Sequence, residues 1–168
     1  MNAVANPTFG LRPYLPADAP MLADIFRASI EELTSDDYSE SQQEAWASAA
    51  DDMQAFAAKL GRELTLIATL EGSPVGFASL EDNTKIDLLY VHPVAARQGV
   101  GALLCDALEK LAGARGTKQL SVDASDTAIE FFKKRGYVAQ QRNSVSRGDE
   151  WLANTTMQKT LAAQDKTS

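Results

Sequence analysis

The sequence predicts an α/β (α+β) fold in which a mixed, mostly antiparallel central sheet is flanked by helices. From Asp18 onwards, apolar residues recur at helical spacing. Beyond Glu63 the period changes, and three strand-like runs follow one another with short polar turns between them. A strand, a glycine-containing turn, a helix and a buried strand then succeed one another from Lys85 to Ala124, the pattern of a crossover at the centre of a sheet.

Each element has its own signal. "FGLRPYL" reads as a first strand, with Phe9 and Leu11 on alternate positions and Tyr14 near its end. "DAPMLADIFRASIEEL" reads as a helix: Asp18 is the expected N-cap, Pro20 lies in the first turn, and Leu22, Ile25, Phe26, Ile30 and Leu33 form one face. "SDDYSESQQEAWASAADDMQAFAAKLG" predicts two short helices, the first capped by Ser39 and the second closed by Gly61. "ELTLIATL", the turn "EGSP", "VGFASLE", the link "DNT" and "KIDLLYV" predict three consecutive antiparallel strands. Alternation along the last of these puts Lys85, Asp87 and Leu89 on one face.

A helix from about Gly99 to Ala114 follows, with Val100, Leu103, Leu104, Leu108 and Leu111 as its apolar side. "KQLSVDA" is a buried strand and "DTAIEFFKKRG" a short helix ended by Gly136. "YVAQQRN" and "EWLANTTMQKTL" form a last antiparallel pair around "SRGD". The first eight residues and the tail "AAQDKTS" are expected to fray.

At 168 residues and 45% hydrophobic, the chain predicts a single domain over 1–168, its core at about 9–160. No apolar run approaches the roughly 20 residues that span a bilayer, and "MNAVANPTFG" lacks signal-peptide character, so a cytoplasmic protein without membrane association is expected. The single Cys105, within "GALLCDALEKL", reads as a buried structural thiol, which removes redox chemistry and a cysteine metal site; no metal is expected. A net charge of −7 argues against general nucleic-acid binding. Residues 1–84 hold 4 Lys/Arg against 14 Asp/Glu, whereas residues 85–168 hold 12 against 9. This is either unequal solvated faces, or an acidic half that meets a cationic partner and a basic half that meets an anionic one.

The stretch "VHPVAARQGVGALL" bears on the second alternative. Free N–H groups at a helix start, with two glycines removing side-chain obstruction and Arg97 at the rim, make a cradle for phosphate oxygens. A plain strand-to-helix turn needs no ligand. A P-loop is excluded because no Gly-Lys-Ser/Thr follows. A dinucleotide fingerprint would want a third glycine where Leu104 stands, although Asp123 imitates its acidic residue, and three antiparallel strands come first where that fold expects parallel ones.

"KIDLLYVHPVAARQGVGALLCDALEKLA", followed by "LSVDASDTAIEFFKKRGY", resembles the GNAT superfamily of acetyl-CoA-dependent N-acetyltransferases, and the order of elements resembles that fold over nearly the whole chain. The resemblance implies acetyl-CoA as cosubstrate, its pyrophosphate on the backbone N–H groups of Arg97, Gln98, Gly99, Val100, Gly101 and Ala102. It implies pantetheine along Leu89, Tyr90 and Val91, with Ser125, Phe131 and Phe132 completing the cofactor-binding set. The chain departs from the family at Ala96, where Gln or Arg is usual, at Ser125, where Asn often starts the second helix, and at Phe132, where a Tyr often serves as general acid. Ser125 can still cap that helix, and Tyr137 is the aromatic residue left to stand in as acid. Asp87, on the strand that carries bases in many members, is the candidate base.

Of the remaining candidates, His92 is expected to shape its loop, and Lys133, Lys134 and Arg135 to form a solvated face near the cofactor's ribose phosphate. Tyr38 and Trp46 are the candidate walls of an acceptor pocket, though core packing alone also explains Trp46. The implied function is direct transfer of acetyl from acetyl-CoA to a primary amine on a small-molecule or peptide acceptor, without an acyl-enzyme. Two alternatives stay open: a non-catalytic acyl-CoA-binding module, suggested by Phe132, and a GNAT-fold protein-interaction domain, suggested by the acidic helices. A homodimer also stays open.

Overall fold

The computed structural model describes residues 8–161, so the predicted frayed ends lie outside the described residues, save for Thr8. Strand β1 (Phe9–Pro13) leads through a 3-10 turn into helix α1 (Ala19–Leu33), followed by α2 (Glu40–Ala47) and α3 (Met53–Arg62). Three strands come next, β2 (Leu64–Leu70), β3 (Ser73–Glu81) and β4 (Lys85–Val91), then helix α4 (Val100–Ala114) and strand β5 (Gln119–Ser125). Helix α5 (Ile129–Lys134) and the pair β6 (Val138–Arg147) and β7 (Glu150–Thr160) complete the chain. The seven strands form one sheet in the order β1-β2-β3-β4-β5-β7-β6. Every pairing is antiparallel except β4 with β5. The mixed, mostly antiparallel sheet expected from the sequence is therefore what forms. Among the described residues no helix is long and apolar enough to cross a membrane.

The sheet has a packed layer on each face. Leu104, Cys105 and Leu108 of α4, with Phe132 of α5, lie against Ala78, Leu80, Ile86, Leu120 and Val122. On the other face Leu22, Ile25, Phe26 and Ile30 of α1 and Phe56 and Leu60 of α3 lie against Ile67, Phe77 and Leu88. Burial holds the Cys105 thiol protonated, pushed up to about 12, as its structural role requires. Between β2 and β3, Glu71 and Gly72 both adopt positive φ, 52° and 83°, the geometry of a two-residue hairpin turn.

Several local expectations are corrected. Ser39 caps α2 as expected, in a reciprocal box with Gln42. Asp18 occupies the N-cap of α1 but makes no side-chain cap bond. Its carboxylate instead takes two 2.8 Å bonds from Arg12 and one from the Leu15 N–H, because a charged fork outcompetes a helix N–H. Gly61 does not close α3; the helix runs on through Arg62, and its last cap is Glu63. Ser125 does not cap α5. It ends β5, its carbonyl accepts from the Ala128 N–H, and Ala128 is the cap residue. Most consequentially, β4 does not alternate evenly. Ser79 pairs with Leu88 and Leu80 with Ile86, so Asp87 is the extra residue of a bulge. Leu89 packs with the α4 layer, whereas Asp87 reaches Lys59 of α3. The two do not share a face.

Candidate active site

The site begins where the parallel pair parts. Strands β4 and β5 pair only at Lys85 with Ser121 and Ile86 with Val122, although β5 stays paired with β7 as far as Ser125. Beyond Ile86 the strands open into a fork. A cavity of about 630 Å³ fills it, lined on one arm by Asp87, Leu89, Tyr90 and Val91 and on the other by Asp123, Ala124 and Ser125. Such a volume suits a small organic ligand.

The floor is the predicted turn. His92 shapes it as expected: its Nδ1 accepts the Val94 N–H at 3.1 Å, fixing a short 3-10 turn over Pro93–Ala95. Arg97 and Gly99 then take positive φ, 64° and 86°, and the chain enters α4. Gly99 is the N-cap and has no side chain to close the helix start. The first helical bond runs from the Leu103 N–H to the Gly99 carbonyl, so the first-turn N–H groups have no helical acceptor. Their partial positive charge faces the fork, as helix dipoles and free donors dictate. A Cβ on Gly101 would come within 3.3 Å of the Phe131 ring, so the bare glycine lets that ring lie over the start of α4.

Of the expected cofactor set, Leu89, Tyr90, Val91, Arg97, Gly99, Val100, Gly101, Ala102, Ser125, Phe131 and Phe132 all line this one cavity. Gln98 does not; its side chain turns back to the Val94 carbonyl at 3.2 Å. Trp46 also reaches the lining, and its indole N–H donates to the Tyr90 hydroxyl at 3.2 Å. Desolvation holds that phenol well above its ordinary value. Tyr38 is not in this lining. Its ring meets Trp46 edge-on at 5.3 Å, while its hydroxyl donates to the Ala153 carbonyl and accepts from the Asp126 N–H, so it braces Trp46 from behind.

Two carboxylates face the fork. Burial pushes Asp123 upward, but the Thr156 hydroxyl at 2.6 Å and Lys85 at 2.9 Å outweigh it and hold the group below the ordinary range. Asp87 has Lys59 Nζ 2.8 Å from its Oδ2. Tyr137 lies elsewhere. Its hydroxyl donates to Glu109 Oε2 at 2.9 Å, beside Arg135 and Lys159, outside the cavity lining. Burial and the Glu109 charge hold its phenol far above the usual range. The structure thus brings Asp87 and Trp46 to the same cavity and leaves Tyr137 behind α5. Arg135 is tied to Asp106 and Glu109 rather than forming a free cationic face.

Sequence reasoning missed Ser29, Leu33, Thr34 and Thr127 in the lining, and it missed Lys59 and Glu63 behind Asp87. Glu63 carried a usable signal. It shares parity with Thr65 and Ile67, both buried, so a carboxylate stood on the core face of β2.

A family profile described as the acetyltransferase (GNAT) domain matches residues 34–161. The chain is 33% identical over 147 residues to YafP, an uncharacterized N-acetyltransferase of Escherichia coli K12, covering 88% of this chain and 93% of that protein. Among solved structures it resembles a GCN5-related N-acetyltransferase (aminotransferase, class-II) of Rhodopseudomonas palustris, with 65% identity and a TM-score of 0.90 over 96% of this chain and 99% of that one. It shares its fold with the PaiA N-acetyltransferase of Thermoplasma acidophilum, solved in complex with coenzyme A, at 19% identity and a TM-score of 0.75 over 91% of this chain and 99% of that one.

Proposed function

The chain belongs to the GNAT acetyltransferase family, and we propose that it moves an acetyl group from acetyl-CoA directly to a primary amine within the fork between β4 and β5. The observation that carries this reading is the early parting of that parallel pair beside an uncapped helix start. An extended acyl-pantetheine can pair with the edge of Leu89–Val91 that β5 leaves open, the other edge being held by β3, as an added strand would, while its diphosphate meets the N–H groups of Arg97–Ala102. Phe131 and Phe132 supply the apolar wall of that arm, and Ser125 its polar end. Working in the cytoplasm as a single domain is part of the same proposal.

The chemistry asks little more of the protein. A neutral amine attacks the thioester carbonyl carbon; the C–N bond forms, the C–S bond breaks, and the sulfur leaves as thiolate. A backbone N–H near Leu89 polarises the carbonyl oxygen, and Asp87, or a water it orients, takes the proton that the attacking nitrogen sheds. A thiol of pKa ~8.5 leaves without a strong acid, so Phe132 in the acid position is tolerable. Trp46 walls the acceptor side, braced by Tyr38, and the acidic first half favours a cationic acceptor, small-molecule or peptide. The test is release of free thiol from acetyl-CoA over a panel of amines, with the acetylated product identified by mass. Amine-dependent release supports transfer; cofactor binding without release from any amine would return the chain to a binding module.

A further inference from the structure

Behind Asp87, on the face of the sheet covered by α3, lies a carboxyl group that the transfer just proposed does not use. Glu63 ends α3 and precedes β2, with a side chain only 3% exposed. Its Oε1 accepts the Ser79 hydroxyl at 2.6 Å. Its Oε2 is buried and has no hydrogen-bond donor. Asp87 Oδ2 is in the same position: buried, with Lys59 Nζ at 2.8 Å but off the line of a hydrogen bond. The same ammonium stands 3.7 Å from Glu63 Oε2. Buried oxygens without a well-directed donor are costly; the two carboxyls converge on the one Lys59 ammonium, and a hydrogen bond with Asp87 favours the protonated form of Glu63. One proton between them satisfies both. It also balances charge, since Lys59 then faces a single negative charge from the pair; Glu81 of β3 also bears on Lys59, and Lys85 of β4 on Asp87.

We infer that Glu63 and Asp87 share one proton and act together as a single base, with Asp87 on the cavity side of β4 and Glu63 as the positioning residue behind it. The bulge makes this possible. By adding one residue between Ile86 and Leu88 it turns Asp87 toward α3 while leaving it in the cavity lining. The side chain keeps 17% exposure, none of it at Oδ2, so its remaining atoms face the cavity. An isolated Asp of pKa ~4 is a poor acceptor for the proton of an alkylammonium of pKa ~10. A pair that takes up its proton near neutrality is a better one. Burial, opposed by Ser79 and reinforced by the neighbouring Asp87 carboxylate, pushes Glu63 up to about 7. The pair acts as base in its unprotonated form: in a turnover the nitrogen's proton passes to Asp87, becomes the one proton held between the two carboxyls, and leaves to solvent, restoring the unprotonated pair.

The inference rests on Asp87 as base, and the test separates the two. With one amine at saturating acetyl-CoA, kcat/KM is measured from pH 5.5 to 9 for the wild type, Glu63→Gln and Asp87→Asn. The wild type should rise through a midpoint near 7. Glu63→Gln keeps the Ser79 contact and can donate an amide N–H to Asp87, so it should fold. Its rise should vanish from this window, with kcat lowered roughly tenfold and KM for acetyl-CoA unchanged. A Glu63→Gln profile that keeps its midpoint near 7 overturns the shared proton, while wild-type turnover by Asp87→Asn overturns the base assignment itself. Carboxyl 13C NMR titration of the wild type provides a readout independent of the variants. Glu63 titrating near 7, and moving down in Asp87→Asn where an amide can donate to it, supports the pair; Glu63 titrating below about 5 in the wild type sinks it.

Discussion

The two walls of the cavity are built by different means. The wall of β4, the turn and α4 works through backbone: strand edge, positive-φ turn and free helix N–H groups, all contributed by one continuous stretch from Leu89 to Ala102. The opposite wall works through side chains from separate elements, with Ser29 and Leu33 from α1, Trp46 from α2, and Asp87 tied to Lys59 of α3. A wall made of backbone tolerates change in side-chain identity, so Ala96 should cost the motif little. A wall made of converging side chains depends on every helix that delivers them. The first should fail by losing the cofactor, and the second by losing the acceptor or the proton.

The sharpest way to break the backbone wall is Gly101→Glu. The new side chain starts 3.3 Å from the Phe131 ring and sets a carboxylate where phosphate is expected. Coenzyme A affinity by calorimetry should fall about 10³-fold or more, as like charges in contact cost several kcal/mol, with the fold intact by circular dichroism. Undiminished affinity would take the cofactor away from this turn. On the other wall Asp87→Asn should lower kcat roughly 10²-fold, the usual size of a general-base contribution, and leave coenzyme A affinity unchanged. Trp46→Ala should raise the acceptor KM roughly tenfold, about 1.4 kcal/mol, and barely move that of acetyl-CoA. Equal rises in both would make Trp46 a core residue shared by the two walls.

Smaller effects sharpen the same contrast. Glu63 is raised in the folded state to about 7 from an ordinary 4.5. The folded protein therefore binds this proton more tightly than the unfolded chain. Its contribution to stability is full below about 4.5 and is lost as pH rises through about 7. Melting temperature should carry this downward component across pH 5–7.5, and Glu63→Gln should remove it. An unchanged pH dependence in that variant would mean that Glu63 carries no such proton. Smallest of all should be Tyr137→Phe, which removes only a bond to Glu109 that Arg135 and Lys159 already occupy. Turnover should stay within about twofold, with a modest loss of stability. A large fall in kcat would bring Tyr137 into the chemistry after all.

Much of the first wall could be read in advance. "ARQGVG" after an apolar strand specifies its own geometry through positive φ and an uncapped helix start, and these are local properties. The second wall resisted because its key facts are relational. Strict alternation put Asp87 with Leu89, and the bulge undid it. A bulge depends on the register of the partner strand, which β4's own residues do not encode. Tyr38 and Trp46 are both expected as walls of the acceptor pocket, but packing puts Trp46 in the cavity lining and Tyr38 behind it. Tyr137 fitted a pattern of spacing, yet Glu109, 28 positions earlier in the chain, claims its hydroxyl.

By itself the sequence determined the order of elements, the two apolar faces of the sheet and the glycine turn that opens α4, because each depends on residues close together in the chain. Tertiary structure alone decided how far β4 and β5 stay paired, which way Asp87 turns, and that Lys59, Glu63 and Ser79 meet it behind the strand. Those outcomes belong to contacts between distant segments. There the protonation of a carboxyl group is set by the charges and donors around it, and not by the residues beside it in the sequence.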